Sequence, residues 1–388
     1  MKNIKGNINI ELLIIVFLFL YMSFIYFSIA LSNIFLGIGV FLFLLAWIRG
    51  EIHIDFKKDK IHLFLLLITP FLLTIVSVLH SEDLVNAMRS IRLRIPVLII
   101  TFILIFIEIK DKSIKKGISV FIILTFIATL YTFFKASKFV GEDILFQPDF
   151  TFFITPIQHP YFGIYLLIAI VSLVEFKLIK HRTLRYIVLS ILIIGVAIST
   201  SRLAYILLFT LLIFYSIKNV PKKKSLLFLF TLTAFSVLFV LSNNNLQSKF
   251  KTSFTYQNSP RLKLWNNAIK VINNSENKIL GIGVGDYYKT KEDPYFLKEN
   301  NTGLYGYDPH SQFFEFYITT GYMGVLFMSM FFLFGIFKIK KQNRYARIVF
   351  LIILTFSLTE SILNRQYGVQ LYSIFIPLIF KDNFKKLI

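Results

Sequence analysis

Long apolar runs alternate along this chain with short charged gaps. The runs fall at about 10–31, 33–48, 61–79, 91–109, 115–134, 160–179, 184–200, 203–217, 225–241, 312–337, 346–361 and 367–380. Most approach the roughly twenty residues that a helix needs to cross a hydrocarbon core, and 33–48, 203–217 and 367–380 lie at the lower limit. The pattern predicts an all-α polytopic membrane protein of about twelve transmembrane helices. It breaks once, at a long polar segment covering about 242–309. The chain is therefore read as one integral membrane domain: helices one to nine over 1–241, a loop over 242–311, and helices ten to twelve over 312–388.

Composition supports a lipid environment. Hydrophobic residues make up 56% of the 388, Phe alone supplies 45, and the mean hydropathy is +0.69. Soluble domains do not have this composition. The net charge of +21 would suggest nucleic acid in a soluble protein. In a membrane protein it reflects Lys and Arg gathered in cytoplasmic loops, and no basic segment interleaved with aromatics offers a stacking platform, so no nucleic-acid partner is expected. With no cysteine in the chain, disulfides and thiolate metal sites are excluded. Lys2 and Lys5 precede the first run, which is longer than a signal-peptide core, and that run reads as a retained span. If the N-terminus is cytoplasmic, every second connection is basic, from Lys57, Lys58 and Lys60 to Lys338, Lys340 and Lys341. That alternation predicts a multi-pass protein of a bacterial inner membrane with both termini cytoplasmic and the long segment outside.

The long segment opens on the polar run Ser242-Asn-Asn-Asn245. Ser259-Pro260 then reads as a helix cap and first residue. Leu262, Trp265, Ile269 and Ile272 follow at helical spacing, which predicts an amphipathic helix lying on the membrane surface. Gly281-Ile-Gly-Val-Gly285 lacks the Lys-Ser/Thr of a P-loop and the spacing of a dinucleotide fingerprint, and is read as turn geometry. Beyond the loop, Gly321 and Gly324 stand three residues apart, a spacing that lets another backbone come close.

Charges expected outside are few. Arg202 occupies a short turn between two runs, Arg261 starts the loop helix, and Arg89, Arg92 and Arg94 cluster where the fourth span begins. A guanidinium can hold a phosphate through two donors, but an interfacial arginine also simply snorkels to lipid headgroups. His310 and His159 stand at loop-to-span junctions, where a histidine can serve as a base or as an ordinary hydrogen-bonded loop residue. Glu360, at the outer end of the eleventh span, can pair with Arg365 or with a site arginine. No metal-binding motif is present, and Asp286, Glu292, Asp293 and Asp308 are scattered.

Three stretches carry a resemblance: Thr200-Ser-Arg202-Leu-Ala; Arg261-Leu-Lys-Leu-Trp-Asn-Asn-Ala-Ile-Lys-Val-Ile with Leu280-Gly-Ile-Gly-Val-Gly-Asp286; and His310-Ser-Gln-Phe-Phe-Glu-Phe-Tyr-Ile-Thr-Thr-Gly-Tyr-Met-Gly324. In this order around one long loop, over about 195–330, they resemble the O-antigen ligase / O-antigen polymerase C-terminal family, and most closely its ligases. The family commonly has Asn where Ser311 stands. The resemblance implies a GT-C-like bundle whose long periplasmic loop contains short helices. It implies a metal-independent, inverting glycosyltransferase with no cofactor, taking a glycan from undecaprenyl diphosphate. A ligase passes the glycan to lipid A–core, a polymerase to another repeat unit, and some relatives to protein. By position Arg202, Arg261 and His310 match the family's functional arginines and histidine.

Those residues suit the chemistry. Breaking the anomeric bond leaves charge on a lipid diphosphate, which fixed guanidiniums can stabilise. Arg202 and Arg261 are expected there, and His310 is expected to take the acceptor proton. Arg92, Arg94, His159 and Glu360 are expected to bind substrate, the apolar spans are expected to supply a groove for the polyprenyl chain, and membrane lipid is an expected partner. A transporter of a lipid-linked or anionic solute is the alternative of another class, but the interrupted runs do not pair as in repeat-built transporters. A passive assembly partner would leave the three matched residues without a purpose.

Overall fold

A computed structural model describes residues 9–138, 154–219, 260–287, 308–339 and 343–381. The expected run 225–241, the Ser242–Asn245 opening, the Ser259 cap, Glu292 and Asp293 lie outside the described residues. Among the described residues there are thirteen α-helices.

Local signals set most helix ends. Asn9 caps α1 (Ile10–Ser23) by accepting from the Leu12 amide at 3.2 Å. A short 3₁₀ turn follows, and Ser28 then caps α2 (Ile29–Ile48) at the Leu31 amide. The expected run 10–31 is thus α1 with its 3₁₀ turn, and the expected run 33–48 is α2, which the Ser28 cap starts at Ile29, inside the first run. The expected run 61–79 is also broken, into α3 (Lys58–Leu67) and α4 (Thr69–Val78), bent by 58° with Pro70 in the first turn of α4. Proline offers no N–H to the preceding turn and so fits the first turn of a helix, where that N–H would have no partner. Asp83 caps α5 (Leu84–Phe106) earlier than hydropathy alone placed it. The remaining elements are α6 (Asp111–Ser137), α7 (His159–Phe176), α8 (Arg182–Ile198), α9 (Arg202–Asn219), α10 (Pro260–Asn274), α11 (Gln312–Lys338), α12 (Arg344–Thr359) and α13 (Gln366–Phe380).

The protein is an all-α polytopic membrane protein. Among the described residues α2, α6, α7 and α11 are long and apolar enough to cross a bilayer, and the bent α3–α4 pair forms a fifth such unit. Burial sorts them: 83% of the α7 window is buried but only 22% of the α2 window, so α7 is central and α2 faces outward. Helix α13 is the other central element, buried from Gly368 to its end. A helix apolar all round belongs in the middle of a bundle. Phe375 of α13 packs edge-on against Phe19 of α1 and Phe121 of α6.

Helix α11 breaks at Gly321, one of the two glycines expected to let another backbone come close. Gly321 has φ 61° and ψ −152°, a region open almost only to glycine. The break leaves carbonyls of Ile318 and Thr319 and amides of Tyr322 and Met323 without helical partners. The loop after α10 supplies them: Ile282 and Gly283 donate to Ile318 and Thr319, while Lys278 and Ile279 accept from Tyr322 and Met323, all within 3.2 Å. A methyl at Gly321 would stand 2.4 Å from the Lys278 carbonyl, and one at Gly281 2.5 Å from the Ile318 carbonyl. The glycine therefore admits this loop rather than a neighbouring helix. Gly321→Ala is expected to destabilise the protein by at least ~1–3 kcal/mol, the usual cost of a non-glycine residue in such a backbone region. Thermal melting in detergent measures this, and an unchanged midpoint would show that the loop does not depend on the break.

Candidate active site

The ends of several helices meet at one end of the bundle: the starts of α7, α9, α10, α11 and α13 and the end of α12. Arg202 opens α9 after a turn in which Thr200 takes a left-handed φ of 50°. With His159, Pro160, Thr200, Ser201, Leu203, Arg261, Phe356, Thr359 and Glu360 it lines a cavity of about 190 Å³. Whole small-molecule pockets run from about 300 Å³ upward, so this one suits a charged head rather than a complete glycan.

Glu360 sits at the centre. It is the C-cap of α12, its carboxylate is 7% exposed, and each oxygen has its own partner. Oε1 accepts from the Arg261 guanidinium at 2.8 Å, and Oε2 lies 3.2 Å from His310 Nδ1. Asp308 approaches the same ring nitrogen, its Oδ1 3.6 Å from Nδ1, and its Oδ2 meets Arg365 at 3.5 Å. The result is an alternating chain, Arg261–Glu360–His310–Asp308–Arg365. Both carboxylates can only accept when ionised, so the neutral ring keeps its proton on Nδ1 and its lone pair on Nε2.

Two influences oppose each other at His310. Burial, the largest, pushes its pKa down, and Arg261 adds to this; the Glu360 hydrogen bond and charge, with the Asp308 charge, push it up. The acids prevail, and the pKa lies above the usual 6.5. The backbone of His310 is unusual as well, with a left-handed φ of 46°. Asp308 supports it by accepting from the His310 amide at 3.0 Å.

Of the expected site residues, Arg202, Arg261, His159 and Glu360 converge on the cavity, and His310 joins through Glu360. Arg92 does not; it is exposed on α5. Arg94 does not either: it is 1% exposed and fully engaged. Its Nε donates to the Leu363 carbonyl at 3.1 Å, one terminal nitrogen donates to Thr74 at 2.6 Å, and the other closes on Glu315. Gln312 bridges the same Glu315 to the Leu363 amide. Arg94 therefore faces the protein interior rather than the cavity. Its donors tie the start of α11, which follows His310, to the segment that follows Glu360.

Helix α10 forms as expected and packs against the protein along one face. Its buried face is Leu264, Ala268 and Ile272, packed on α11 through Ile318 and Phe314, and Ile269 is exposed. It is a protein-packed helix on this face, because α11 offers apolar surface beside it. The glycine run spends its amides within the protein: Gly281 donates to Asn277, Gly283 to Thr319 and Gly285 to Ser81. Asp286 accepts from the amides of Glu82 and Asp83 at 2.7 and 3.1 Å and pins this loop to the start of α5. Among the described residues no group of three His, Cys, Asp or Glu is arranged to hold a metal.

The sequence reading missed Asp308 and Arg365 as members of the histidine network, and Glu315, Gln312 and Thr74 as the support beneath it. Asp308 had one available signal, its position two residues before His310.

Residues 187–329 match the family described as O-Antigen ligase. That stretch contains Arg202, Arg261 and His310, while Glu360 comes from beyond it. No curated protein matches the chain.

Proposed function

We propose that this chain, whose residues 187–329 match the O-Antigen ligase family, is a metal-independent, inverting glycosyltransferase. It moves a glycan from undecaprenyl diphosphate to a sugar hydroxyl at the periplasmic face of a bacterial inner membrane, with both chain termini cytoplasmic. The acceptor is lipid A–core, as in ligation. The polymerase reaction and transfer to protein use the same donor chemistry and differ in the acceptor.

One observation carries the reading: Arg202 and Arg261 line one cavity, and Glu360 in its wall also holds the imidazole of His310. The two guanidiniums bind the diphosphate and stabilise the charge that develops on it as the anomeric C–O bond breaks. His310 accepts the acceptor proton at Nε2, and Glu360 with Asp308 stabilises the imidazolium that results. His159 contributes to the phosphate wall of the cavity. Glu360 positions both Arg261 and His310.

Purified protein in nanodiscs, given a polyprenyl-diphosphate-linked oligosaccharide and lipid A–core, should release polyprenyl diphosphate as the acceptor gains the glycan. A transporter would move the donor unchanged and form no product. In a deletion strain, bare core with accumulating lipid-linked long chains identifies a ligase; core capped by a single repeat identifies a polymerase.

The pH dependence follows from His310. Its imidazole must be neutral to take a proton, so kcat should rise with pH through a midpoint above 6.5, the ordinary value. The sign for folding is opposite. A raised folded-state pKa means that this contact stabilises the fold fully below about pH 6.5 and loses its contribution as pH rises through the folded-state value. Glu360→Gln removes the main influence holding the pKa up, so the acid limb of kcat should move to lower pH. A limb that stays in place would detach the rate from this pair.

A further inference from the structure

We propose that Trp265 is a positioning residue for the transfer step: its indole N–H fixes the peptide from which His310 hangs and so sets the imidazole against the two arginines. This rests on the function proposed above and adds a residue to it.

The peptide between Pro309 and His310 is held at both polar edges. Its N–H donates to Asp308 Oδ1 at 3.0 Å, and its carbonyl accepts from Trp265 Nε1 at 2.8 Å. The torsion beyond it is the left-handed φ of His310. A non-glycine residue holds such a backbone only when its surroundings over-determine it. Asp308 and Trp265 do so from opposite sides. The indole is itself fixed, stacked on Phe314 of α11 with ring centroids 5.2 Å apart and planes at 17°.

Placement on α10 gives this contact its purpose. Trp265 stands four residues after Arg261, one helical turn along the same face. Arg261 reaches Glu360, and Trp265 reaches the residue before His310. One rigid helix therefore registers the arginine side of the site against the base. An indole N–H beside packed surface needs some acceptor; here that acceptor is the carbonyl next to His310. A misplacement of about 1 Å in a reacting geometry can cost on the order of a hundredfold in rate.

The test removes the N–H and keeps the ring. Benzothienylalanine in place of Trp265 substitutes sulfur for the donor and preserves the stack, and Trp265→Phe serves as the second variant. The expected result is a kcat lowered ~10–100-fold with the donor KM within about twofold, and an acid limb moved to lower pH as the His310–Glu360 contact loosens. ¹⁵N shifts of the His310 ring, assigned by their absence in His310→Ala, should report weaker retention of the Nδ1 proton without any turnover. Unchanged kcat, pH profile and ring shifts in a folded benzothienylalanine protein would overturn the proposal. So would lower thermal stability with normal kcat in the folded fraction. If wild-type protein transfers nothing, the functional reading fails separately, and the ring shifts still decide the role of Trp265.

Discussion

His310→Ala is expected to lower transfer by ~10²–10⁴-fold, the usual contribution of a positioned general base, while the protein remains folded in the membrane. Removal of the imidazole should do little to the fold. The side chain is about one-third exposed, and Glu360 keeps its 2.8 Å contact with Arg261. Glu360 therefore does not become a bare buried charge, which is the costly outcome of breaking most buried pairs. The loss should appear in kcat rather than in the affinity for donor, because the phosphate-holding groups stay in place. Turnover of the purified variant, measured as polyprenyl diphosphate released per mole of folded protein, is the check; a kcat close to wild type would remove His310 from the reaction.

The largest effect on stability is expected at Arg94. This guanidinium and Glu315 are each 1% exposed, and the arginine holds Thr74 and the Leu363 carbonyl as well. Arg94→Met leaves Glu315 buried without its cation and should cost ~3–5 kcal/mol, as breaking one side of a buried pair typically does. Arg94→Met with Glu315→Leu should recover most of that loss, since replacing both partners by apolar groups removes the unpaired charge. Thermal melts of the two variants in one detergent give the comparison. A double variant no more stable than the single one would mean that the hydrogen bonds to Thr74 and Leu363, rather than the ion pair, hold this junction.

The two predictions concern adjacent layers of one structure. Glu360 and Arg365 flank the segment that receives Arg94 and Gln312 through Leu363. His310 lies two residues before Gln312, whose side chain reaches both Glu315 and Leu363. The buried network therefore fixes the distance across which Glu360 meets the imidazole.

What the sequence made legible was what repeats or stands out locally. Apolar runs gave most of the helices because each span carries its own signal over about twenty residues. Arg202, Arg261 and His310 were conspicuous because charges are scarce at the helix ends expected to face outward. The breaks within runs were harder. Ser28, Pro70 and Gly321 each end or bend a helix inside apolar sequence, and a hydropathy window averages over one polar or permissive residue. The protein-facing side of α10 was not legible because Leu262 and Ile269 are as apolar as Leu264 and Ala268; only the position of α11 decides between them. The support network was least legible. Arg94 and Glu315 are 221 residues apart in sequence, and nothing near either one names the other. An arginine that binds substrate and one that pins a core look alike until burial is known.

The division of labour between arginines and histidine is tested most directly by equilibrium binding of a polyprenyl-diphosphate-linked oligosaccharide to detergent-purified wild type, Arg261→Ala and His310→Ala, with transfer measured on the same samples. His310→Ala should bind donor within about twofold of wild type and transfer almost none, whereas Arg261→Ala should lose donor affinity by roughly tenfold or more, in line with removal of a charge-assisted contact. Equal donor affinity in all three proteins, or a loss of affinity confined to His310→Ala, would contradict a site in which guanidiniums hold the departing diphosphate and an imidazole frees the acceptor hydroxyl.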